Sequence, residues 1–309
     1  MGSIEIEKWQ ILDFTGFRGF VTSTEGALVV RPEEGEERRV PISDVAVVLF
    51  GVDTRFSAGS VHRILKNDTA VIFCDWKGAP YGHAYPWGDH TRVGARQIAQ
   101  ANASIPARKS VWARLIKSKV LGQAEVLEFF GRPNGKRLKE LVKDIRSGDP
   151  SNIEGQAARI YWESLWDDQD FRRIPGGGDD TFTINAMLDY GYTILRGHAM
   201  RAVAASGLIS SLGVAHHGRS NPWNLADDFI EPFRPAIDYS VYLLVSECVD
   251  DGTEIKKRLV NSAGDVFTAT RKSIPAEMTL LAQHYGQLIE GDIGKFGVPS
   301  WKPPSKLGL

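Results

Sequence analysis

The stretch ARKSVWARLIKSKVLGQAEVLEFFG (residues 107–131) decides the fold class, because an apolar period of about 3.6 residues begins there and turn signals become rare. Val111, Leu115, Val120 and Leu127 carry this period and predict a long helix. The basic residues expected on its opposite side are Arg108, Lys109, Lys117 and Lys119.

The chain before this stretch has a different texture. Residues 1–87 contain short β-branched and aromatic runs such as DVAVVLF (44–50) and TAVIFCD (69–75), and turn signals separate them. One short helix is predicted at 57–66. This region is therefore predicted to be a small β-sandwich-like domain.

Helical periodicity continues after residue 131. The further helices predicted are 136–147, 153–166, 183–206, 225–249 and 275–290, with a glycine-rich loop at 174–180. The fold class is therefore α+β. A linker at 88–95 would join the β-rich domain to an all-α domain at 96–297, followed by a proline-rich tail at 298–309, which is either an extended docking strap or disordered.

Positive charge is concentrated in one segment. Residues 91–147 hold 13 Lys and Arg against four Asp and Glu, a net charge of +9, whereas the whole chain has a net charge of −1. Such a segment is typical of a polyanion-binding surface, although a solvated helix face would look the same.

Composition favours an ordinary protein of the cytoplasm. No apolar run approaches the length of a membrane span, and the first residues lack the apolar core of a signal peptide. The cysteines, Cys74 and Cys248, both lie in apolar runs and are predicted to be buried, reduced thiols.

Three segments of the helical half carry candidate chemistry, and each has a structural alternative. Glu154 begins a predicted helix, where Ser151 and Glu154 also have the spacing of a capping box. His216 and His217 lie in a glycine-flanked loop and suit either metal binding or a plain surface loop.

The third segment is NLADDFIEPFRP, in which Asp228 and Glu231 share one helix face. Two acids there also suit the dipole of a helix N-terminus. Taken together with Glu154 and the histidines, these acids form a carboxylate and imidazole set suited to Mn²⁺ or Mg²⁺. The set contains no thiolate, which argues against structural zinc.

At these residues the chain resembles the Cas-one (Cas1) family, the integrase and endonuclease subunit of CRISPR adaptation. The resemblance rests on IEGQAARIYW (153–162), LDYGYTILRGHAMRAVAASGL (188–208) and LGVAHHGRSNPWNLADDFIEPFRP (212–235), and on VPISDVAVVLFG (40–51) in the β-rich part. The LADD and EPFRP phrases look most like the type II variant.

The resemblance implies a metal site formed by Glu154, His216 and Glu231, with Asp228 as a reserve ligand. His216 fits the family's offsets from Gly213 and Leu225, and His217 does not. Tyr190 and Arg196 are implied to line the site or the DNA path, with a core tyrosine as the alternative. Asp189 departs from the family's usual Asn before its Tyr-Gly pair.

The implied reaction joins a DNA 3′-hydroxyl of a protospacer to a phosphodiester of the repeat array, with Mg²⁺ or Mn²⁺ as cofactor. Implied partners are double-stranded DNA, a second copy of the chain bound through the β-rich domain, a dimer of the Cas-two (Cas2) protein and other type II adaptation proteins. The basic residues Arg108, Lys109, Arg114, Lys117 and Lys119 would hold DNA phosphates. A metal-dependent repair nuclease and a non-catalytic DNA-binding scaffold remain as alternatives.

Overall fold

The computed structural model describes residues 10–76, 80–84, 86, 93–166, 171–176, 183–267 and 272–304. In that part of the chain, the strands are β1 Gln10–Phe14, β2 Gly19–Thr24, β3 Ala27–Pro32, β4 Arg38–Pro41, β5 Val45–Phe50, β6 Thr54–Phe56, β7 Ala70–Cys74 and β8 Pro80–Ala84. The helices are α1 Ala58–Lys66, α2 Val93–Ala101, α3 Ile105–Phe129, α4 Gly135–Leu141, α5 Ile153–Leu165, α6 Ile184–Ala205, α7 Asn224–Ile230, α8 Arg234–Ser246, α9 Gly252–Ser262 and α10 Ile274–Glu290.

The N-terminal strands form two four-stranded sheets, with the orders β1-β5-β7-β8 and β4-β3-β2-β6. The first sheet is mixed, since β1, β5 and β7 run parallel and β8 is antiparallel to β7. Phe14, Val21, Leu28 and Phe50 bury a common core with α1. The predicted β-sandwich-like region followed by a helical region is confirmed.

The other face of the first sheet packs on the helices. Val47 and Ile72 belong to the same buried core as α6 residues such as Leu195. Gly197 allows this approach, because a Cβ there would lie 2.9 Å from side-chain carbons of both Val47 and Ile72. The β-rich region is therefore anchored directly to the helix that borders the candidate site.

Helix α3 is buried along most of its length, rather than exposing one basic face. It packs against α4, α5 and α8, and Gly122 lies so close to Pro235 that a Cβ would meet its ring at 2.8 Å. The expectation that Lys119 lies on a solvated face is therefore wrong, because that side of α3 is covered by neighbouring helices.

Prolines break the helix predicted at 225–249. The chain forms α7, then a 3₁₀ turn over Glu231–Phe233, and then α8. Pro232 and Pro235 lack the N–H that a continuous helix needs, and both fall at the start of a new helical segment. The break places Glu231 at the beginning of a tight turn.

Several other boundaries and placements differ from expectation. Helix α2 begins at Val93, so residues 93–95 of the predicted linker are helical, while 88–92 lie outside the described residues. The helix predicted at 136–147 ends at Leu141 in a 3₁₀ turn, and α9 was not predicted. Cys74 is buried as predicted, whereas Cys248 is exposed at the end of α8.

The described part of the proline-rich tail, residues 298–304, is an extended strap packed on α3. Ser118 donates a hydrogen bond to the carbonyl of Pro299, and Trp301 is buried beside the ring of Tyr239. Lys302 forms an ion pair with Glu125 at 2.9 Å. Of the helices that the structure describes, none is long and apolar enough to cross a membrane.

Candidate active site

Glu154 lies in the first turn of helix α5, but it does not cap that helix. Asn152 accepts a hydrogen bond from the N–H of Gly155, and the carboxylate of Asp149 accepts from the N–H groups of Ile153 and Glu154. These side chains satisfy the donors that a helix start exposes. The carboxylate of Glu154 is therefore left for another role, and the capping-box alternative is wrong.

Lys119 of α3 joins Glu154 to Glu231. Its Nζ atom lies 2.8 Å from Oε1 of Glu154 and 2.6 Å from Oε2 of Glu231. Arg234 binds the other oxygen of Glu231, with Nε 2.9 Å from Oε1. Two carboxylates from distant parts of the chain thus converge on one cationic position.

Charge keeps this cluster ionised despite its burial. Burial alone would raise the pKa of Glu231, but Arg234 and Lys119 outweigh it and hold that pKa at about 2. Burial alone would lower the pKa of Lys119, but Glu231 and Glu154 reverse this and raise it. The carboxylate of Glu231 is consequently available as an anionic ligand at neutral pH.

His216 is oriented by Asp228. The Nδ1 atom of His216 lies 2.7 Å from Oδ1 of Asp228, whose side chain is 0% exposed. Asp228 also accepts hydrogen bonds from the N–H groups of Val214, Ala215 and His216. The hydrogen bond to Asp228 raises the pKa of His216. Because both oxygens of Asp228 are used in this way, its geometry suits a residue that orients the imidazole better than a reserve ligand.

Gly213 makes possible the tight loop that carries His216 and His217, which we call the histidine loop. A Cβ at this position would collide with the carbonyl oxygen of His216 and would lie 2.9 Å from Oδ2 of Asp228. Only glycine lets the loop close this tightly around the Asp228 carboxylate. His217 points instead into a cleft beside the loop.

The donor set suits a divalent cation, and its two carboxylates are already gathered. Oε2 of Glu231 is buried and lies 2.6 Å from Nζ of Lys119. With Nδ1 of His216 held by Asp228, Nε2 is the ring nitrogen left for a metal. Within the described residues, no three His, Cys, Asp or Glu side chains group tightly enough to hold a metal as they stand. The carboxylate pair therefore fits a cation, and the imidazole would have to move toward it.

A second set of contacts, centred on the carboxylate of Asp227, holds the end of the histidine loop and the residues that follow it. Both carboxylate oxygens of Asp227 lie 2.6 Å from guanidinium nitrogens of Arg196, and Asn221 donates to the same carboxylate at 2.7 Å. The guanidinium of Arg196 also lies over the ring of Trp223, which donates a hydrogen bond to His83 of β8. Arg196 thus has a structural position beside the site.

The predicted DNA-binding residues fall into different environments. Lys109 is exposed and Lys117 half-buried on α3. Arg114 donates to the carbonyl of Phe296, at 3.0 Å, and so helps to hold the segment that leads into the tail. Tyr190 donates to the carboxylate of Asp13 in β1, which favours its core alternative. Lys119 is engaged with the two carboxylates.

A cleft of about 610 Å³ lies beside the histidine loop, between that loop, α2 and the beginning of α3. Arg108, His217 and Arg219 line it together with Tyr285 of α10. The Nε atom of Arg108 is buried and has no hydrogen-bond partner among the described residues. The cleft therefore adds positive charge close to the candidate metal ligands.

The roles that three residues have in the site were not predicted from the sequence. Lys119 was read as a phosphate ligand, Asp228 as a reserve ligand, and Arg234 was not selected. The spacing of Glu231 and Arg234, three residues apart, was a usable signal for their ion pair. The contact between α3 and the 3₁₀ turn that brings Lys119 to Glu231 has no local sequence signal.

The chain is similar in sequence to proteins of one described family. The model of the family described as "CRISPR associated protein Cas1" matches residues 14–257. A protein named CRISPR-associated endonuclease Cas1 from Neisseria meningitidis is 34% identical over 217 residues, which are 70% of this chain and 69% of that protein. A Cas1 endonuclease from Pyrobaculum aerophilum is 28% identical over 280 residues, covering 84% of this chain and 92% of that one.

Solved structures share the fold. A casposase bound to its integration product superposes with a TM-score of 0.76 at 19% identity, covering 96% of this chain and 94% of the casposase. A CAS1 protein from Thermotoga maritima gives a TM-score of 0.76 at 15% identity, covering 94% of this chain and all of that one. The family match spans most of the chain and includes the three candidate ligands, so the protein belongs to the CRISPR-associated Cas1 family.

Proposed function

We propose that this protein is a metal-dependent DNA integrase and endonuclease of CRISPR adaptation. The observation that carries the proposal is the convergence of Glu154 and Glu231 on one cationic position, beside an imidazole that Asp228 orients. Family membership supports the same reaction class, since relatives are named CRISPR-associated endonucleases. The type II variant stays a prediction from sequence.

The proposed reaction is a phosphodiester exchange. A 3′-hydroxyl of the incoming DNA attacks a phosphorus of the target strand, one P–O bond forms, and the bond to the departing 3′-oxygen breaks. The number of phosphodiester bonds is unchanged, so no external energy source is required. The protein forms no covalent intermediate. With water as the attacking group, the same site would hydrolyse DNA.

The roles of the residues follow from their contacts. Glu154, Glu231 and Nε2 of His216 would hold Mg²⁺ or Mn²⁺, which supplies positive charge that activates the attacking hydroxyl and stabilises the pentavalent transition state. Asp228 fixes the tautomer of His216, and Arg234 keeps Glu231 ionised. Lys109, Lys117 and Arg108 would hold backbone phosphates of the duplex.

The proposed partners follow from the same family. A solved complex titled "Cas6-RT-Cas1--Cas2 complex" contains a chain segment with this fold, which supports a Cas2 partner. The proposed assembly has two copies of this chain in contact through their β-rich regions, and two such dimers bridged by Cas2. Further type II adaptation proteins are proposed as members of that assembly.

A strand-joining assay tests this function. The full-length protein is incubated with its Cas2 partner, Mn²⁺, a labelled duplex with free 3′-hydroxyls and a target that contains a repeat. We expect a longer labelled product that forms at the repeat boundary. Cleavage of the target without any joined product would favour a repair nuclease, and the absence of both activities would favour a DNA-binding scaffold.

A further inference from the structure

Lys119 has an unusual setting for a lysine. Its side chain is 12% exposed, and it projects from the buried helix α3 toward two carboxylates carried by α5 and by the turn after α7. Lysine is rarely buried unless it is paired. The packing of α3 fixes the backbone at Lys119, so the fold places the ammonium at this position.

The ammonium and a divalent cation would need the same oxygen atoms. Nζ of Lys119 lies 2.8 Å from Oε1 of Glu154 and 2.6 Å from Oε2 of Glu231. Arg234, which binds Oε1 of Glu231, adds a second positive charge beside the pair. With both Lys119 and Arg234 in place, the carboxylate pair is already neutralised. Adding a divalent cation would leave an excess of two positive charges in a largely buried cluster.

One of the two basic side chains must therefore give way, and the geometry indicates which. The guanidinium of Arg234 is stacked on the ring of Tyr192, 4.4 Å from its centroid, in addition to its bond to Glu231. Lys119 has a flexible four-carbon stem and a single charged atom, so it can withdraw without disturbing the backbone. The atoms it would release are Oε1 of Glu154 and Oε2 of Glu231, the two oxygens that its ammonium contacts.

We propose that Lys119 is a positioning residue of the metal site: its ammonium holds Glu154 and Glu231 together until a divalent cation displaces it. The inference rests on the metal site of the proposed function. Lys119 keeps two anionic side chains from repelling each other in the metal-free protein, and it competes with the cation for them. Cation affinity in the native protein is consequently lower than the carboxylates alone would give.

Metal affinity of a Lys119→Met variant tests the proposal. Methionine has a similar length and no charge, so it removes the competitor while filling the space. Mn²⁺ binding to the full-length protein, measured by calorimetry and by the loss of the free-ion electron paramagnetic resonance signal, should be at least about tenfold tighter than in the native protein. Lys117→Met, two residues along the same helix, should stay within about twofold. Equal or weaker Mn²⁺ binding by folded Lys119→Met would overturn the proposal.

A second measurement uses the native protein and does not depend on how the variant folds. An amine-acetylating reagent is applied with and without Mn²⁺, and modification is followed by peptide mass spectrometry. Lys119 should react slowly without metal, because its ammonium is bound between the carboxylates of Glu154 and Glu231, and at least about threefold faster with saturating Mn²⁺. Lys117 provides the internal reference. Equal reactivity of Lys119 in both conditions would contradict displacement.

A Glu154→Gln variant distinguishes failure of the proposed metal site from failure of the inference about Lys119. If this variant binds Mn²⁺ as tightly as the native protein, the metal site of the proposed function is wrong. If Glu154→Gln weakens Mn²⁺ binding but Lys119→Met does not strengthen it, the metal site stands and the inference about Lys119 is wrong.

Discussion

Residues of the candidate site act in pairs, and Asp228 shows why a single position is hard to interpret from sequence. It lies three residues before Glu231, and the family resemblance makes it a reserve ligand for the same metal. The structure buries Asp228 beneath the histidine loop, where its oxygens accept bonds from backbone N–H groups and from His216. The two acids thus face different environments in spite of their spacing.

Replacing Asp228 by Asn should separate orientation from coordination. Without the negative charge, the pKa of His216 should fall from its raised value toward the usual range, because the hydrogen bond to Asp228 is the leading cause of the shift. Mn²⁺ affinity at neutral pH should weaken by roughly 10- to 100-fold as the ring loses its fixed tautomer. Imidazole NMR titration and calorimetry measure the two effects.

The outcome at His217 provides a control for that prediction. His217→Ala should leave both the pKa of His216 and the Mn²⁺ affinity unchanged, because His217 lies in the cleft rather than beside Asp228. An Asp228→Asn protein that keeps the native pKa of His216 would show that another group sets it.

Elements of secondary structure were largely predictable where caps and periodicity agree. Ser57 and Thr183 cap α1 and α6 where the patterns indicated helix starts. The interruption at Glu231 was missed, although Pro232 and Pro235 signal it, because the apolar period runs on through α8. The burial of α3 was also missed, because periodicity reports one buried face and says nothing of helices that cover the others.

The tail makes a prediction at this scale. Trp301 is buried against α3 and the ring of Tyr239, so Trp301→Ala should lower the free energy of unfolding by about 3 kcal/mol in urea denaturation. Trp76→Ala is the matched control, because that side chain is 71% exposed, and it should cost less than about 1 kcal/mol. Equal effects would mean that the strap is not a stable part of the helical core.

At the scale of the whole molecule, the basic residues of the 91–147 segment fall into two groups. Some make contacts inside the protein, and others lie on its surface. Lys119 and Arg114 are engaged in internal contacts, while Lys109 is exposed. Composition could predict that positive charge gathers near the site, but not which side chains the fold uses internally. That division depends on contacts between segments far apart in sequence.

The salt dependence of DNA binding should distinguish the basic residues that contact DNA from those that make internal contacts. Affinity for a random duplex, measured in EDTA over a range of salt, should fall with a log–log slope of about −0.9 per phosphate contact. The double variant Lys109→Ala, Lys117→Ala should have a shallower slope, because it loses up to about two phosphate contacts. Lys119→Ala should leave it unchanged, because without metal that ammonium binds Glu154 and Glu231. A reduced slope for Lys119→Ala would place it on the DNA surface instead.

The central claim is that the Glu154 and Glu231 carboxylates form the metal site of a DNA-joining enzyme. The most direct test is the strand-joining rate of Glu154→Gln in Mn²⁺ with the Cas2 partner, with circular dichroism to verify the fold. Gln keeps the shape and removes the charge, so the rate should fall by roughly a hundredfold or more while the protein still binds the duplex. A folded Glu154→Gln protein that joins strands within about threefold of the native rate would contradict the account.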